Sequence, residues 1–217
     1  MAEDYIEKTQ RAYAASPNKY VESTSEMVPM DELNQFIGLL PNQVSPVLDA
    51  GSASGRDAEA MVGAGIKAQG IDLSDELLDR ARKLHPDIDF KKMDVRRLEF
   101  PDNHFGGVWS NAVLHHLEDG DLTKAISEMF RVLMPGGALC ISLKEGEGSR
   151  WVEESFSSDL ARFYNFKTAH QLEALLRDLG FKVVSSHTRN EKEMFGPDYR
   201  DLNWVWVFAN KPVGEEH

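Results

Sequence analysis

The run Val47-Leu48-Asp49-Ala50-Gly51-Ser52-Ala53-Ser54-Gly55-Arg56-Asp57 constrains this chain more than any other stretch. It predicts a buried strand over 46–49, a turn carrying glycine, and a helix opening near Arg56. At such a junction glycine lets backbone approach a ligand closely, and the first helical N–H groups point outward unpaired. The fingerprint G-x-G-x-x-G asks for glycines at 51, 53 and 56, whereas this chain carries Ala53 and Arg56. The pattern acidic-x-Gly-x-Gly-x-Gly matches Asp49, Gly51 and Gly55, and departs only at Ala53.

The residues that follow keep a regular spacing. A second strand is predicted over 66–71, ending at Asp72-Leu73-Ser74. Asp72 follows Asp49 by 23 positions (72 − 49), close to the roughly 20-residue interval that sets an acidic residue on a ribose. A carboxylate only accepts hydrogen bonds, so it suits two adjacent hydroxyls. Ser74 is the expected N-cap of a helix to about Leu84, with Leu77, Leu78 and Ala81 on one face. A third strand is expected over 88–93, followed by Asp94-Val95, and a fourth over 106–111. A helix over 121–134 then leads through Pro135-Gly136-Gly137 into a strand over 138–143.

In this order the residues resemble the nucleotide-binding half of class I S-adenosylmethionine-dependent methyltransferases, close to the small bacterial "type 11" group. The resemblance implies an α/β fold: a Rossmann-like seven-stranded, mostly parallel sheet with an antiparallel last strand and helices on both faces. It covers 46–144 closely and 145–212 more loosely. The implied cofactor is S-adenosylmethionine, leaving as S-adenosylhomocysteine. Asp49, Gly51, Ser52, Ala53, Gly55 and Arg56 would border its amino-acid end. Asp72 and Leu73 would hold the ribose. Asp94 would accept from the adenine amine, beside Met93 and a reading N–H at Val95. Asn111 and Ala112 would lie under the cofactor. The methyl group of Ala53 should be tolerated if φ there is negative.

The chemistry implied is in-line methyl transfer, for which much of the rate can come from positioning. A base is needed only for a hydroxyl, a carbon acid or a protonated amine. His116 and His115 are the candidates, with Lys144 and Tyr164 as possible substrate contacts.

Charge narrows the acceptor. Thirty-six acidic against 24 basic side chains give a net charge of −12, which disfavours tight nucleic-acid binding. The one dense basic cluster, Lys91-Lys92 with Arg96-Arg97, is expected to be a solvated rim. A small-molecule acceptor is therefore the leading reading. A methyltransferase for tRNA or another macromolecule, or a non-catalytic S-adenosylmethionine-binding protein, are the alternatives. No apolar run approaches the roughly 18 residues of a membrane span, and the opening Met1-Ala2-Glu3-Asp4 is unlike a signal peptide. A cytoplasmic location is expected. The single cysteine, Cys140, falls in a predicted buried strand, and no cysteine–histidine spacing suggests a metal.

The division expected is a helical N-terminal extension over 1–45 and a methyltransferase domain over 46–217. Amphipathic helices are predicted over 4–15 and 29–40. The extension is expected to act as a lid, with Tyr13 and Tyr20, either side of Pro17, among the cofactor-binding residues and with Val21 and Met27 packed over the cleft. Beyond 144 come a variable connection, a helix from Thr168 to Leu179 closed by Gly180, and strands over 181–186 and 204–210. A long loop or hairpin is expected over 192–200 between them.

Overall fold

The computed structural model describes residues 4–154 and 158–214, without the side chains of 154, 158 and 159; the acidic opening at 1–3 lies outside the described residues. The sheet is built from β1 (Val47–Ala50), β2 (Ala68–Asp72), β3 (Asp89–Lys92), β4 (Phe105–Asn111), β5 (Leu133–Lys144), β8 (Lys182–Asn190) and β9 (Asn203–Asn210). Its order is β3-β2-β1-β4-β5-β9-β8. The first five of these strands run parallel, and β9 lies antiparallel to both β5 and β8. This is the expected seven-stranded sheet with its antiparallel last strand. All four β1 residues are buried, as a central parallel strand covered on both faces requires.

Helices cover both faces. Leu122, Ala125, Ile126 and Met129 of α6 (Asp119–Val132) share one core with Leu172 and Leu176 of α7 (Ala169–Asp178). On the other face, Leu33 and Phe36 of α3 (Met30–Gly38) pack with Met61 of α4 (Arg56–Gly63), Trp109 and Trp206. Leu77, Leu78 and Ala81 of α5 (Asp75–Leu84) are buried as predicted. Each leucine there contributes about 1.5–3 kcal/mol of burial. The Ser74 hydroxyl accepts from Leu77 N–H at 3.3 Å, which makes it the predicted cap. At α7, Thr168 and Gln171 form a reciprocal capping box, and Gly180 follows with φ +90°.

Several expectations need correction. The helix predicted over 121–134 starts two residues earlier and stops at Val132, and β5 begins at Leu133. Pairing explains it: Leu133 faces Phe105, while Gly136 and Gly137 exchange backbone hydrogen bonds with Lys211. The connection after 144 holds a hairpin, β6 (Ser149–Glu154) against β7 (Ser158–Asn165), forming a separate two-stranded sheet. The predicted loop over 192–200 holds helix α8 (Glu191–Phe195), started by a capping box between Asn190 and Glu193.

The N-terminal segment forms α1 (Tyr5–Ala14), α2 (Pro17–Thr24) and α3. Pro17 opens α2 rather than breaking a helix, because at the first position its missing N–H costs nothing. Asp4 caps α1 through Ile6 N–H, and Ile6, Thr9 and Ala12 are its buried side. Cys140 is buried in β5, and burial pushes its thiol well above the usual range. The basic cluster is largely ion-paired: Lys91 with Asp89 at 3.1 Å, Lys92 with Asp75, and Arg96 with Asp94 and Asp121 at 2.6 and 2.7 Å.

Candidate active site

The carboxyl ends of β1, β2 and β4 open onto a cleft made of two joined compartments, about 840 and 810 Å³ including their mouths. Tyr13, Tyr20, Gly51, Ala53, Asn111 and Ala112 line both, so they form the waist between them.

The loop after β1 is held from β2. Gly51 and Ser52 both donate backbone N–H to the Ile71 carbonyl at 2.8 Å. Ala53 N–H donates to Asp72 Oδ2 at 3.0 Å, and Ser74 N–H to Asp72 Oδ1 at 2.8 Å. Ala53 is left-handed, with φ +47°, so the negative φ under which its methyl group would be free of strain is not met. A non-glycine residue there costs roughly 1–2 kcal/mol, and the Asp72 bond helps to offset it. Gly51 (φ +91°) admits no side chain, since a Cβ would lie 2.0 Å from Val113. Gly55 lines neither compartment. Its φ is +85° and a Cβ would meet the Phe90 ring at 2.5 Å, so its role in the structure is packing.

Asp57, unnoticed in the sequence, is the polar centre of the floor. Its Oδ1 accepts from Arg56 Nε at 2.7 Å, and its Oδ2 accepts from Trp109 Nε1 at 2.9 Å and Asn111 Nδ2 at 2.8 Å. Burial opposes its charge, but Arg56 and these donors outweigh it and hold the carboxyl below its usual range. An acid in the first turn of a helix ordinarily complements the dipole; only burial reveals its other task. Asn111 Oδ1 accepts from Ser142 Oγ at 2.6 Å, which orients the amide. Arg56 also reaches the Thr24 carbonyl at 3.0 Å, tying the end of α2 to the loop.

Asp49 is 2% exposed, and its Oδ2 has no hydrogen-bond partner among the described residues. Burial, then the neighbouring charge of Asp57, pushes its carboxyl well above the usual range. An orphaned acceptor at the end of a central strand fits a cationic group, such as the ammonium of an amino acid.

The other compartment is mainly apolar. Ile6, Leu73, Leu77, Met93, Val95 and Val113 line it, with Asp72 and Asp94 at its polar edge. The Asp94 oxygens are engaged by Arg96, whose Nε lies 3.0 Å from each and whose Nη2 lies 2.6 Å from Oδ2.

His115 and His116 sit in a 3₁₀ turn (Leu114–His116) after β4 rather than on the strand. His116 Nδ1 lies 2.7 Å from the Phe163 carbonyl and Nε2 lies 2.8 Å from the Tyr13 hydroxyl. A carbonyl only accepts, so in the neutral ring Nδ1 carries the proton and Nε2 accepts from Tyr13. His115 is 2% exposed, and burial, followed by the charges of His116, Lys144 and Arg162, lowers its basicity well below the usual value. It packs against Tyr164 and Trp204 at 5.0 and 5.5 Å between ring centres. Lys144 and Tyr164 line the same compartment as Asp49, together with Arg162 and Arg200. Of the predicted lid residues, Tyr13, Tyr20 and Met27 border the cleft.

Residues 47–137 match the family model for a methyltransferase domain. The chain is 34% identical over 106 residues to a demethylmenaquinone methyltransferase of Renibacterium salmoninarum, covering 49% of this chain and 43% of that protein. It is 30% identical over 146 residues to a ubiquinone/menaquinone biosynthesis C-methyltransferase of Rickettsia bellii, covering 61% and 56%. The chain thus spans about half the length of the curated relatives it matches. Among solved structures, the Burkholderia thailandensis 1,6-didemethyltoxoflavin-N1-methyltransferase, with S-adenosylhomocysteine bound, superposes with a TM-score of 0.76 at 22% identity, covering 96% of this chain and 89% of that one.

Proposed function

We propose that this chain, which belongs to the class I S-adenosylmethionine-dependent methyltransferases, moves a methyl group from S-adenosylmethionine to a small-molecule acceptor. One observation carries the reading: a single cleft joins an apolar compartment edged by Asp72 to a polar one floored by Asp49 and Asp57. Each half suits one end of the cofactor. Asp49 Oδ2 would take the ammonium, and the left-handed turn at Gly51–Ala53 would bring backbone against the amino-acid end. Asp72 would accept from the ribose hydroxyls with the lone pairs its backbone partners leave. Leu73, Met93 and Val95 would enclose the adenine, with Asp94 shared between it and Arg96. When bound, the cofactor supplies a methyl group on a sulfonium, already a good leaving group.

The protein's part is to place the acceptor in line and to take its proton where one must leave. Tyr13 stands at the waist, and its hydroxyl proton points at His116 Nε2. The Tyr13 oxygen would therefore accept the acceptor's proton while its own passes to His116, whose Nδ1–H stays on the Phe163 carbonyl. His116 then acts through Tyr13, and His115 lines the wall. Residues 1–45 serve as the cover that excludes water, over a domain formed by 46–217. The paired basic cluster and the net charge support a small molecule over a nucleic acid. A cytoplasmic setting is part of the proposal, supported by a lone buried cysteine; no helix among the described residues is long and apolar enough to cross a membrane.

The test is a metabolite panel read by S-adenosylhomocysteine release, with Asp72→Ala and Tyr13→Phe beside the parent protein. Asp72→Ala should weaken S-adenosylhomocysteine binding by about 1.5–3 kcal/mol. Tyr13→Phe should leave that binding intact and slow turnover by about 10²–10⁴-fold. Tight binding of S-adenosylhomocysteine with no turnover across the panel would favour a non-catalytic role.

A further inference from the structure

A cation in the first turn of a helix opposes the helix dipole, yet Arg56 holds the first position of α4. Its side chain reaches another element instead. Nε donates to Asp57 Oδ1 at 2.7 Å, and Nη1 donates to the Thr24 carbonyl at 3.0 Å. Thr24 is the last residue of α2. A helix C-terminus is where a cation is favoured and where carbonyls lack intrahelical donors. The last turn of α2 carries Glu22 and no basic residue. Arg56 therefore caps α2 from outside it. The Thr24 carbonyl also accepts from Met27 N–H at 3.0 Å, so both of its lone pairs are used.

The same guanidinium stands beside the ground assigned to the amino-acid end of the cofactor. Arg56, Asp49, Asp57, Tyr20 and Thr24 all line the polar compartment. Burial raises the Asp49 carboxyl; among its charged neighbours Asp57 adds to that rise and Arg56 opposes it. An ammonium seated on Asp49 would leave the carboxylate charged. A charged Asp49 attracts Arg56 more strongly than a neutral one. The hold extends towards the reacting end. Tyr20, on α2, meets the Tyr13 ring edge-on at 5.1 Å between centres, and the Tyr13 hydroxyl lies 2.8 Å from His116 Nε2. We infer that Arg56 is a positioning residue: it passes the arrival of the cofactor's amino-acid end to α2 and, through Tyr20, sets Tyr13 at the waist. Because α2 buries no residue of its own, a cap at its end has the leverage to hold it shut. The inference rests on the methyltransferase reading of the cleft.

The test follows amide exchange under two ligands. S-adenosylhomocysteine carries the amino acid, whereas 5′-methylthioadenosine keeps the adenosine and the sulfur without it. At saturation, S-adenosylhomocysteine should slow exchange in α2 by about tenfold or more, and methylthioadenosine should leave it within about twofold of the free protein. In Arg56→Met, checked for folding by circular dichroism, saturating S-adenosylhomocysteine should no longer slow α2. Arg56→Lys, which keeps the charge, should recover part of the effect, and a lysine that recovers nothing counts against a role for that charge. Exchange in α7 is the control, since a merely weakened fold would speed it there too. Equal protection of α2 by the two ligands, or unchanged protection in Arg56→Met, would overturn the inference while leaving methyl transfer standing. So would an α2 that S-adenosylhomocysteine binds without slowing. Failure of S-adenosylhomocysteine to bind at all would instead remove the reading beneath it. The ligand comparison decides the matter if Arg56→Met does not fold, and the variant decides it if methylthioadenosine does not bind.

Discussion

At the scale of single residues, the cleft gathers strain and unbalanced charge. Two of the three non-glycine residues found with positive φ, Ala53 and Ala112, line both compartments. Ala112 is held there by its N–H on Ser142 Oγ at 3.0 Å, as Ala53 is held by Asp72. Asp49 gives the sharper consequence. Its carboxyl is raised in the free protein, and an ammonium beside Oδ2 would favour the charged form, so binding should release a proton. Affinity for S-adenosylhomocysteine should then rise with pH until the free-protein value is passed. Calorimetry in two buffers of different ionisation enthalpy should show that release on the acid side of the free-protein value, and Asp49→Asn should abolish it. Buffer-independent enthalpies for the parent protein would refute the coupling. The sign for stability is opposite: a raised acid costs the free fold progressively as pH climbs from the unfolded towards the folded value. Asp49→Asn should therefore unfold at a higher temperature than the parent protein at neutral pH without cofactor. Asp49 and Asp72 were legible because strand ends and intervals mark them. Asp57 was not, since its sequence position looks the same whether it faces water or Trp109.

At the scale of elements, legibility followed periodicity. The caps at Ser74 and Thr168 and the β-branched and aromatic run of β9 were readable because local chemistry alone decides them. The β6–β7 hairpin and α8 were not. The hairpin's strands pair only with each other, and α8 is five residues long and tied to the sheet by tertiary contacts of the buried Glu191. The N-terminal cover divides in the same physical terms. Helix α1 buries Ile6, Thr9 and Ala12, whereas α2 buries no residue and Ser16 gives it no side-chain cap. Among the contacts that hold α2 are two polar ones, Thr24 to Arg56 and Asn18 to Arg80, and the edge-on Tyr20–Tyr13 ring pair at 5.1 Å. If the cover moves, α2 is the part that opens. Amide exchange should be faster in α2 than in α1 without ligand, and should slow in α2 by about tenfold or more on adding S-adenosylhomocysteine. Equal exchange in α2 with and without ligand would make it a fixed roof.

At the scale of the whole molecule, acidity is the property that decides among partners. With a net charge of −12, and with Lys91, Lys92 and Arg96 each paired to an aspartate, no unopposed basic face is offered by that cluster. Bulk tRNA should therefore pass unretarded in a native gel at about 50 mM salt with micromolar protein. A shift that disappears with added salt would revive a nucleic-acid acceptor.

The sheet order also sets a timetable for synthesis. Within the sheet β8 touches only β9, and β9 lies between β8 and β5. As the chain leaves the ribosome, β8 emerges with no neighbour to join, and the edge of β5 stays open until Asn203–Asn210 arrives. The same late strand delivers Trp204 and Trp206. A nascent chain can thus assemble β1, β2 and β4 while the part of the polar compartment formed by Trp204 and Trp206 does not yet exist. Chaperones that shield sheet edges would find their opening in that interval, and a chain stalled before 203 would aggregate through β5 rather than merely lack activity.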